Sequence, residues 1–371
     1  MRTGTRTGLS VLAVAALTAL GAAPASAAPP PACGDTLTVD TVLTADLSCP
    51  AGGPGLRLAP GVTLDLGGHV LRGPGPVLGS GRGVEVTREG EAVVRNGTVA
   101  GWSTGVGSLP VETGGPTGVL TLERLVVRDN GLGADVSGEP GSGFFAKPLR
   151  VVRSTFLRNG DGVLTPDSDA VIERSTFAEH SRAGVVTDDG GGATITGSRF
   201  LRNRHGVFLL VQGSADVVGS EFVDNTIGVG AEIAEAYISV RDSRFTGSQI
   251  AVDAEWAQLS LSGSRLVANT TGVVLGDWGA SIVGNRFRAN ETGIRGSGPG
   301  LIQDNVLRWN GDGIVIDPAY DTLALGGNDV RRSSGWGIHA PGVTDLGGNV
   351  ARGNGNEPQC VGVVCGGRPP S

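Results

Sequence analysis

Short apolar stretches alternate with polar, glycine-rich turns along almost the whole chain. In residues 193–200, for example, Ile195 and Phe200 are apolar positions separated by polar residues and one glycine. Alternation of this kind predicts β-strands, because successive side chains of a strand point to opposite faces. The frequent Gly-Ser-Asp clusters between the stretches predict tight turns. The pattern therefore indicates many short strands and no long helices.

The predicted strands recur with a regular period. The repeated pattern is Ser/Asn-x-Phe/Leu/Val-x-x-Asn-x-x-Gly-Val/Ile, and neighbouring copies begin 20 to 23 residues apart. A period of this length is typical of solenoid proteins, in which each repeat packs on the next one. The copies begin at Ser154, Ser175, Ser198, Ser220, Ser243, Ser264, Asn285, Asn305, Asn328 and Asn349.

Two repeat folds have a period near this value. A leucine-rich repeat needs several leucines and a helical return segment, whereas the return segments here are rich in Gly, Ser and Asp, as in residues 188–192. Two or three short strands per repeat instead predict a parallel β-helix, and parallel crossovers are almost always right-handed. We therefore expect an all-β, single-stranded right-handed parallel β-helix (a solenoid) of roughly 13 coils with short end caps.

Each slot of the repeat has an expected physical role. The apolar slot predicts a stack of side chains inside the coils, where burial contributes about 25 cal/mol per Å². The asparagine slot predicts a ladder of amides between coils, and the glycine slot predicts a sharp bend. His180 stands in an asparagine slot, so we expect a ladder residue rather than a catalytic base. The apolar slot holds Phe156, Phe177, Phe200, Phe222, Phe245 and Phe287, the asparagine slot Asn159, Asn203, Asn225, Asn269, Asn290 and Asn310, and the glycine slot Gly162, Gly206, Gly228, Gly272, Gly293 and Gly313.

The repeat resembles the right-handed parallel β-helix repeats of the pectin-lyase-like superfamily, especially those of its secreted bacterial members. Residues 56–58 and 61–69 are similar to the first coils of such proteins, and residues 346–360 are similar to their ends. The resemblance covers nearly the whole mature chain. It implies the fold but no single activity, because the superfamily contains lyases, hydrolases, epimerases and non-enzymes.

The catalytic patterns of the superfamily's enzymes are only partly present. Polygalacturonase-like members have spaced aspartates and a Gly-His-Gly segment, whereas here the nearest matches are Asp-Asp at 188–189 and Arg-His-Gly at 204–206. The Asp-Pro-His-Glu segment of alginate epimerases is represented only by Asp-Pro at 317–318. We therefore expect a non-catalytic extracellular protein that interacts with polysaccharide. The alternatives are a lyase or epimerase acting on uronic-acid polymers and a purely structural surface protein.

An acidic ridge is expected in the turns after the glycine slot. Counted from that slot, Glu255, Asp277 and Asp317 are predicted to project from the same turn of nearby coils, with Arg295 on the coil between. Carboxylate oxygens are the ligands that calcium prefers, so these three carboxylates are candidates for a calcium site. Asp277, Arg295 and Asp317 are the candidates for acid–base catalysis. A solvated ridge without a ligand explains the same pattern.

Aromatic residues stand beside this ridge. A tryptophan directly follows the acidic residue in two of these turns, and a tyrosine follows closely in the third. Sugar rings stack on exposed aromatic faces while carboxylates bind their hydroxyls. The alternative is that the tryptophans pack within the turns, as we expect for Trp102, Trp309 and Trp336. The candidate ligand-binding residues are Glu255, Trp256, Asp277, Trp278, Asp317 and Tyr320.

Composition and charge narrow the function further. Of the 371 residues, 64 are glycine, without the three-residue period of collagen. The net charge is −7 and Lys147 is the only lysine, so we expect no basic patch for a nucleic-acid backbone and no nucleic-acid partner. No cofactor is expected apart from calcium.

The first 27 residues have the order of a secretory signal peptide. Two arginines precede the apolar stretch 9–20, and small residues follow it. We expect residues 28–371 to form one secreted β-helix domain without a membrane span, with an N-terminal cap at 28–60 and a C-terminal cap at 350–371.

Four cysteines lie near the two ends of the mature chain. An even number in an exported protein predicts disulfide bonds. Three connectivities are possible, and we expect the two local bonds Cys33–Cys49 and Cys360–Cys365 to hold the end caps. A zinc site is the competing interpretation, although the spacings of 16 and 5 residues do not match the usual short zinc knuckles.

Overall fold

The computed structural model describes Met1, Gly4 and residues 29–50, 53–77, 79–87, 89–108, 117–137, 147–233, 235–316 and 322–366. The chain divides into two units, Met1–Pro30 and Pro31–Ser371, and every strand within the described ranges lies in the second unit. Apart from Met1 and Gly4, the predicted signal peptide falls outside the described residues. No helix within these ranges is long and apolar enough to cross a membrane.

One strand of each coil belongs to a 15-stranded parallel sheet, which we call the first column. The strands follow one another in chain order, so each coil adds one strand to the edge left by the previous coil. They are Thr36–Leu37, Leu56–Leu58, Arg82–Val86, Thr104–Ser108, Leu132–Asp135, Asp161–Pro166, Ala183–Asp188, His205–Leu209, Ile227–Ala231, Ile250–Ala254, Thr271–Leu275, Thr292–Gly296, Asp312–Ile316, Ile338–His339 and Cys360–Val361.

The remaining strands form two further parallel columns. The long strands Gly90–Ala100 and Thr117–Arg128 run through both and join them into one sheet. The second column contains Thr41–Val42, Thr63–Asp65, Leu149–Val152, Asp169–Glu173, Gly192–Thr196, Ser214–Val218, Ala236–Arg241, Ala257–Ser262, Ala280–Val283, Gly300–Gln303, Leu323–Gly326 and Thr344–Gly347. The third column contains Leu47–Ser48, Val70–Arg72, Thr155–Leu157, Thr176–Ala178, Arg199–Leu201, Glu221–Val223, Arg244–Thr246, Arg265–Val267, Arg286–Arg288, Val306–Arg308, Asp329–Arg331 and Val350–Arg352.

The three columns enclose a narrow core, as a solenoid requires. All pairings between described strands are parallel, and the chain makes about 14 turns, against the roughly 13 predicted. No helix occurs in the described ranges. The prediction of an all-β parallel solenoid is therefore confirmed.

The predicted stack of aromatic side chains runs through the core. Neighbouring ring centroids are 5.0 Å apart for Phe156 and Phe177, 5.1 Å for Phe177 and Phe200, 4.7 Å for Phe200 and Phe222, and 4.6 Å for Phe222 and Phe245. All five side chains are fully buried. The same position continues through Leu266, Phe287, Leu307 and Val330.

The glycine slot is explained by close packing rather than by the predicted bend. A Cβ atom at Gly206 would lie 2.5 Å from the carbonyl oxygen of Gly228 and 2.7 Å from Cδ1 of Phe222. The backbone of Gly206 is not left-handed, so the predicted bend is wrong. The left-handed residue stands instead just before each ladder residue, as at Arg202, where φ is 51°, before Asn203.

The predicted asparagine ladder is confirmed. Both the backbone N–H and the Nδ2 of Asn203 donate to Oδ1 of Asn225, at 2.9 and 3.0 Å. Asn269 makes the same two bonds to Asn290, and Asn290 makes them to Asn310. These side chains are buried, so the ladder satisfies polar groups that water does not reach.

A second ladder, not predicted, begins at the first slot of the repeat. The backbone N–H of Ser175 donates to Oγ of Ser198 at 3.1 Å, and Ser198 continues to Ser220 at 3.2 Å. Later in the chain asparagine replaces serine, and Asn285 donates to Oδ1 of Asn305. The [Ser/Asn] preference in the repeat is the signal that indicates this role.

Both predicted disulfide bonds are confirmed. Cys33 is bonded to Cys49 and Cys360 to Cys365, with Cα–Cα distances of 5.7 and 6.1 Å. The zinc interpretation of the cysteines is therefore wrong. Because Cys360 belongs to the last strand of the first column, its bond ties the final segment to the end of the solenoid.

Candidate functional site

A groove of about 250 Å³ lies on the first column. It extends across the three consecutive strands His205–Leu209, Ile227–Ala231 and Ile250–Ala254. Its lining combines aromatic, apolar and charged groups. The lining residues are Arg204, His205, Phe208, Ile227, Gly230, Ala231, Glu232, Asp253, Glu255 and Trp256.

The parallel register creates the groove at Gly230. Phe208 pairs with Gly230, and Gly230 pairs with Asp253 on the next strand. A Cβ atom at Gly230 would lie 2.8 Å from Cγ2 of Ile227 and 3.3 Å from Cβ of Asp253. Because glycine has no side chain, the sheet face is recessed between Phe208 and Asp253, and the Cγ2 methyl group of Ile227 packs over the glycine.

Asp253 is a carboxyl group of the groove with a clearly raised pKa. Burial raises the pKa of Asp253, and the nearby charge of Glu255 raises it further. A hydrogen bond from the backbone N–H of Glu255 to Oδ1 of Asp253, at 3.3 Å, and the charge of Arg295 act in the opposite direction. A cleft carboxyl with a raised pKa is a candidate for proton transfer.

His205 forms the other end of the groove. Its ring stacks on Phe208, with the centroids 4.2 Å apart and the planes at 18°. Burial, followed by the charge of Arg204, lowers the pKa of His205 to about 4. The imidazole is therefore neutral at neutral pH, and its buried Nδ1 has no hydrogen-bond partner within the described residues.

The structure places only part of the predicted ligand site in this groove. Glu255 and Trp256 line it, and the indole of Trp256 is 47% exposed. Asp277 and Trp278 are exposed on the following coil but do not line this groove. Asp317 and Tyr320 lie outside the described residues.

The predicted alignment of the ridge needs correction. Ala254 pairs with Leu275, and the carbonyl oxygen of Glu255 lies against Gly276, so Glu255 is not stacked on Asp277. Arg295 is not on the turns at all. It pairs with Val274, which pairs with Asp253, so it lies two coils from Asp253 on the sheet face. These residues stand at different distances from their slot positions: Arg295 is two residues after Gly293, Glu255 four after Ala251, and Asp277 five after Gly272.

The remaining tryptophans differ in their surroundings. Trp102 is buried in the core, as predicted. Trp336 is half-buried, with its ring centroid 4.6 Å from that of His339. Trp309 is 46% exposed and packs against Arg288 and Arg332 on the neighbouring coils.

A calcium site is not assembled within the described residues. No group of three or more His, Cys, Asp or Glu side chains is placed there to hold a metal ion. Glu255 and Asp277 do not share one position, as shown above. Asp317, the third predicted ligand, is outside the described ranges, so the three-carboxylate hypothesis stays a prediction.

Comparison of the sequence with protein families gives one match. Residues 82–295 and 183–354 match the family described as right handed beta helix region, and together they span more than half of the chain. The chain belongs to this family. Its parallel solenoid is therefore a right-handed β-helix, as predicted. Comparison with curated proteins gives no match.

Solved structures with a similar fold include alginate epimerases. A mutant of the periplasmic alginate epimerase AlgG is 13% identical, covering 84% of this chain and 76% of that one, with a TM-score of 0.48. The A-module of the Azotobacter vinelandii mannuronan C-5 epimerase AlgE6 is 14% identical, covering 90% and 92%, with a TM-score of 0.31. Likeness this distant assigns no activity and no residue role to the present chain.

Proposed function

We propose that this protein is an exported β-helix that binds a polysaccharide in the groove beside Trp256. The observation that carries the proposal is the groove that Phe208, Gly230 and Asp253 line on three consecutive strands, with a gap between the two side chains at Gly230. An exposed indole and three carboxylates border this gap. Apolar faces with a few polar groups around them are the usual surroundings of bound sugars. Three coils span roughly 10 Å along the solenoid axis, enough for one or two sugar rings.

An extracellular location fits the same proposal. Both disulfide bonds are closed, which suits an oxidising compartment. The apolar, arginine-preceded N-terminal segment supplies the expected export signal. Polysaccharides that coat cells or lie outside them are then the accessible ligands.

The proposal is tested by measuring affinity for a panel of neutral and uronic-acid oligosaccharides by isothermal titration calorimetry. We expect one class to bind, and Trp256→Ala to weaken that binding at least about fivefold, since stacking of a planar ring on an aromatic side chain contributes about 1–3 kcal/mol for nucleic-acid bases and about 1.4 kcal/mol is tenfold. The matched control is Tyr237→Ala, because Tyr237 is similarly exposed on the second column but does not line this groove. Equal losses in both variants, or no binding by any member of the panel, would contradict the proposal. The second result would favour a purely structural protein.

A second candidate function is lyase or epimerase chemistry on a uronic-acid polymer. Asp253 and His205 both have shifted pKa values and line the same groove, and such groups concentrate at catalytic sites. Both reactions begin with removal of the proton next to the sugar carboxylate. A lyase then expels the neighbouring glycosidic oxygen and leaves a double bond, whereas an epimerase returns a proton to the opposite face.

Two assays separate an enzyme from a binding protein. Ultraviolet absorbance detects the double bond formed by a lyase, and deuterium uptake from heavy water detects epimerisation. Each assay is run with and without calcium and repeated with Asp253→Asn. Turnover that is lost in Asp253→Asn would establish catalysis in this groove. Absence of turnover together with tight binding would establish the non-catalytic function.

A further inference from the structure

A row of arginines covers the outer face of the third column near its C-terminal end. In each three-residue strand from Arg244–Thr246 to Val350–Arg352 the central residue is buried and the two flanking residues point outward. Seven of these twelve outward positions are arginine and one is aspartate. We call the seven the arginine row: Arg244, Arg265, Arg286, Arg288, Arg308, Arg331 and Arg352.

The register aligns these residues in two lines along the solenoid. Arg244, Arg265 and Arg286 pair in succession on three consecutive coils. The second line begins at Arg288 and continues over three more coils, through Arg308, Arg331 and Arg352. Neighbouring arginines in each line are therefore separated by one strand spacing, about 4.8 Å at the backbone.

Carboxylates neutralise only a small part of the row. Asp329 pairs with Arg308 and with Arg331, the latter at 2.7 Å. Arg265, Arg286 and Arg352 have no ion pair within the described residues, and the same holds for the other two members of the row. An acidic protein thus concentrates positive charge on one face.

Earlier coils of the same column show the contrasting arrangement. Arg199 pairs with Glu221 at 2.9 Å, and Arg202 pairs with Glu179 at 2.6 Å. Among the third-column strands from Thr155–Leu157 onward, the arginines without an ion pair therefore begin at Arg244.

Trp309 fixes the position of two arginines at the edge of the row. Its exposed ring lies between Arg288, whose Cζ is 4.8 Å from the ring centroid, and Arg332, at 5.5 Å. Arg288 belongs to the preceding coil and Arg332 to the following coil. Cation–π contacts of this kind contribute about 0.5–1 kcal/mol at exposed sites. They hold the guanidinium groups in place before a ligand arrives, which lowers the entropy lost on binding.

We propose that the arginine row binds a linear polyuronate whose long axis follows the solenoid axis. A guanidinium group binds a carboxylate through two parallel hydrogen bonds. A polyuronate carries one carboxylate per sugar ring, and the row offers about one guanidinium per coil in each line. This surface lies on the third column and the Trp256 groove on the first, so the proposal does not depend on the proposed function of the groove.

The geometry favours a polyuronate over more highly charged polymers. Duplex DNA carries one charge per about 1.7 Å of its axis, much denser than the spacing of the row. Proteins that bind single-stranded nucleic acids stack the bases on free aromatic faces, but the ring of Trp309 already has an arginine from each neighbouring coil. Sulfated polysaccharides also carry more charge per sugar than the row can match.

The test is calorimetric titration of the purified protein with polygalacturonate at several salt concentrations. We expect binding that weakens steeply as salt rises, because counterions are released. Arg265→Gln, Arg286→Gln and Arg288→Gln combined should weaken it at least tenfold and reduce the salt dependence. The matched control combines Arg150→Gln, Arg199→Gln and Arg202→Gln, which removes the same charge from ion-paired arginines. This control should bind as the parent does.

Three outcomes would overturn the proposal: equal losses in the two triple variants, no binding of polygalacturonate, or equally tight binding of dextran sulfate or single-stranded DNA. Melting temperatures of both variants establish that they are folded. Trp256→Ala should leave the salt-dependent binding to the row unchanged, so failure of the row and failure of the groove are distinguishable.

Discussion

The backbone N–H of Asn159 donates a hydrogen bond to Nδ1 of His180, at 3.1 Å. The N–H of His180 in turn donates to Oδ1 of Asn203, at 3.0 Å. His180 thus continues the asparagine ladder as predicted, with Nε2 as its other ring nitrogen. That atom is buried without a hydrogen-bond partner in the described part of the chain. Asn203 has no such defect, because its Nδ2 donates to the carbonyl oxygen of Phe177.

We predict that His180→Asn stabilises the protein. Asparagine in this slot would restore the side-chain donor and remove the unsatisfied Nε2, which is worth about 1 kcal/mol in the free energy of unfolding. Urea denaturation at pH 7 measures this change. His180→Ala, which removes the side chain that accepts the ladder hydrogen bond from Asn159, should instead lower the free energy of unfolding. If both substitutions destabilise the protein equally, histidine is a better residue than asparagine at position 180, and the prediction is wrong.

The two buried histidines predict loss of stability in acid. Burial lowers the pKa of His180 to about 4, and burial together with Arg204 lowers that of His205 to about 4. An unfolded histidine titrates near 6.5, so between pH ~6.5 and ~4 only the unfolded chain binds these protons. The stability that the two neutral histidines contribute is therefore fully present above pH ~6.5, and it is lost as the pH drops toward ~4.

Melting temperature measured between pH 7.5 and pH 4.5 tests this dependence. The parent protein should show a marked decrease over the lower part of that range. His180→Asn should show a smaller decrease, because one of the two histidines is absent. A decrease of the same size in the variant would contradict the assignment to His180.

The close approach at Gly206 predicts a large effect of one methyl group. Gly206→Ala places Cβ against Phe222 and the backbone of the next coil, so we expect a loss of about 3 kcal/mol or more in the free energy of unfolding. The control is Gly219→Asn. Gly219 has φ of 57° with open space around a Cβ, and Asp242 occupies the same slot with φ of 52°. Its substitution should cost less than about 1 kcal/mol.

The repeat itself made much of this fold predictable. The aromatic stack and the ladder follow from local patterns that recur from coil to coil, because parallel coils place equivalent residues above one another. The disulfide bonds follow from the even number of cysteines and their local spacing. The left-handed positions did not follow, since Arg202 and Asp242 show no glycine there to indicate them. The crowding at Gly206 depends on the neighbouring coil, which a single repeat does not reveal.

The candidate site was less predictable because it depends on register. Arg295 stands only two residues after the slot glycine Gly293, so it lies on the sheet face beside Val274 and not on the ridge. Phe208 and Gly230 also stand two residues after their slot glycines, and Asp253 stands two residues after Ala251, so the repeat places these three residues in one line. Net charge likewise gives no indication of an arginine row, since it averages over all columns. The Arg-x-Arg pattern at 286–288 is the local signal for that row.

We predict that the carboxylate of Asp253 contributes to ligand binding but lowers the stability of the folded protein. Burial raises its pKa, so its ionised form destabilises the folded protein at neutral pH, and this cost disappears as the pH falls below ~3.8. Asp253→Asn should therefore raise the melting temperature at pH 7 by a few degrees, with a gain that shrinks in acid, while ligand affinity decreases. The exposed Asp277 supplies the control, and Asp277→Asn should change neither property. A lower melting temperature for Asp253→Asn would contradict this account.

Tryptophan emission during titration with the tightest-binding oligosaccharide tests the central claim most directly, because Trp256 borders the proposed groove with a half-exposed indole. We predict that ligand shifts or quenches the emission of the parent protein, that Trp256→Ala abolishes this response with an unchanged melting temperature, and that Trp309→Ala retains it. A response that persists in Trp256→Ala, or a collapse of stability in that variant, would contradict a sugar-binding groove at Trp256.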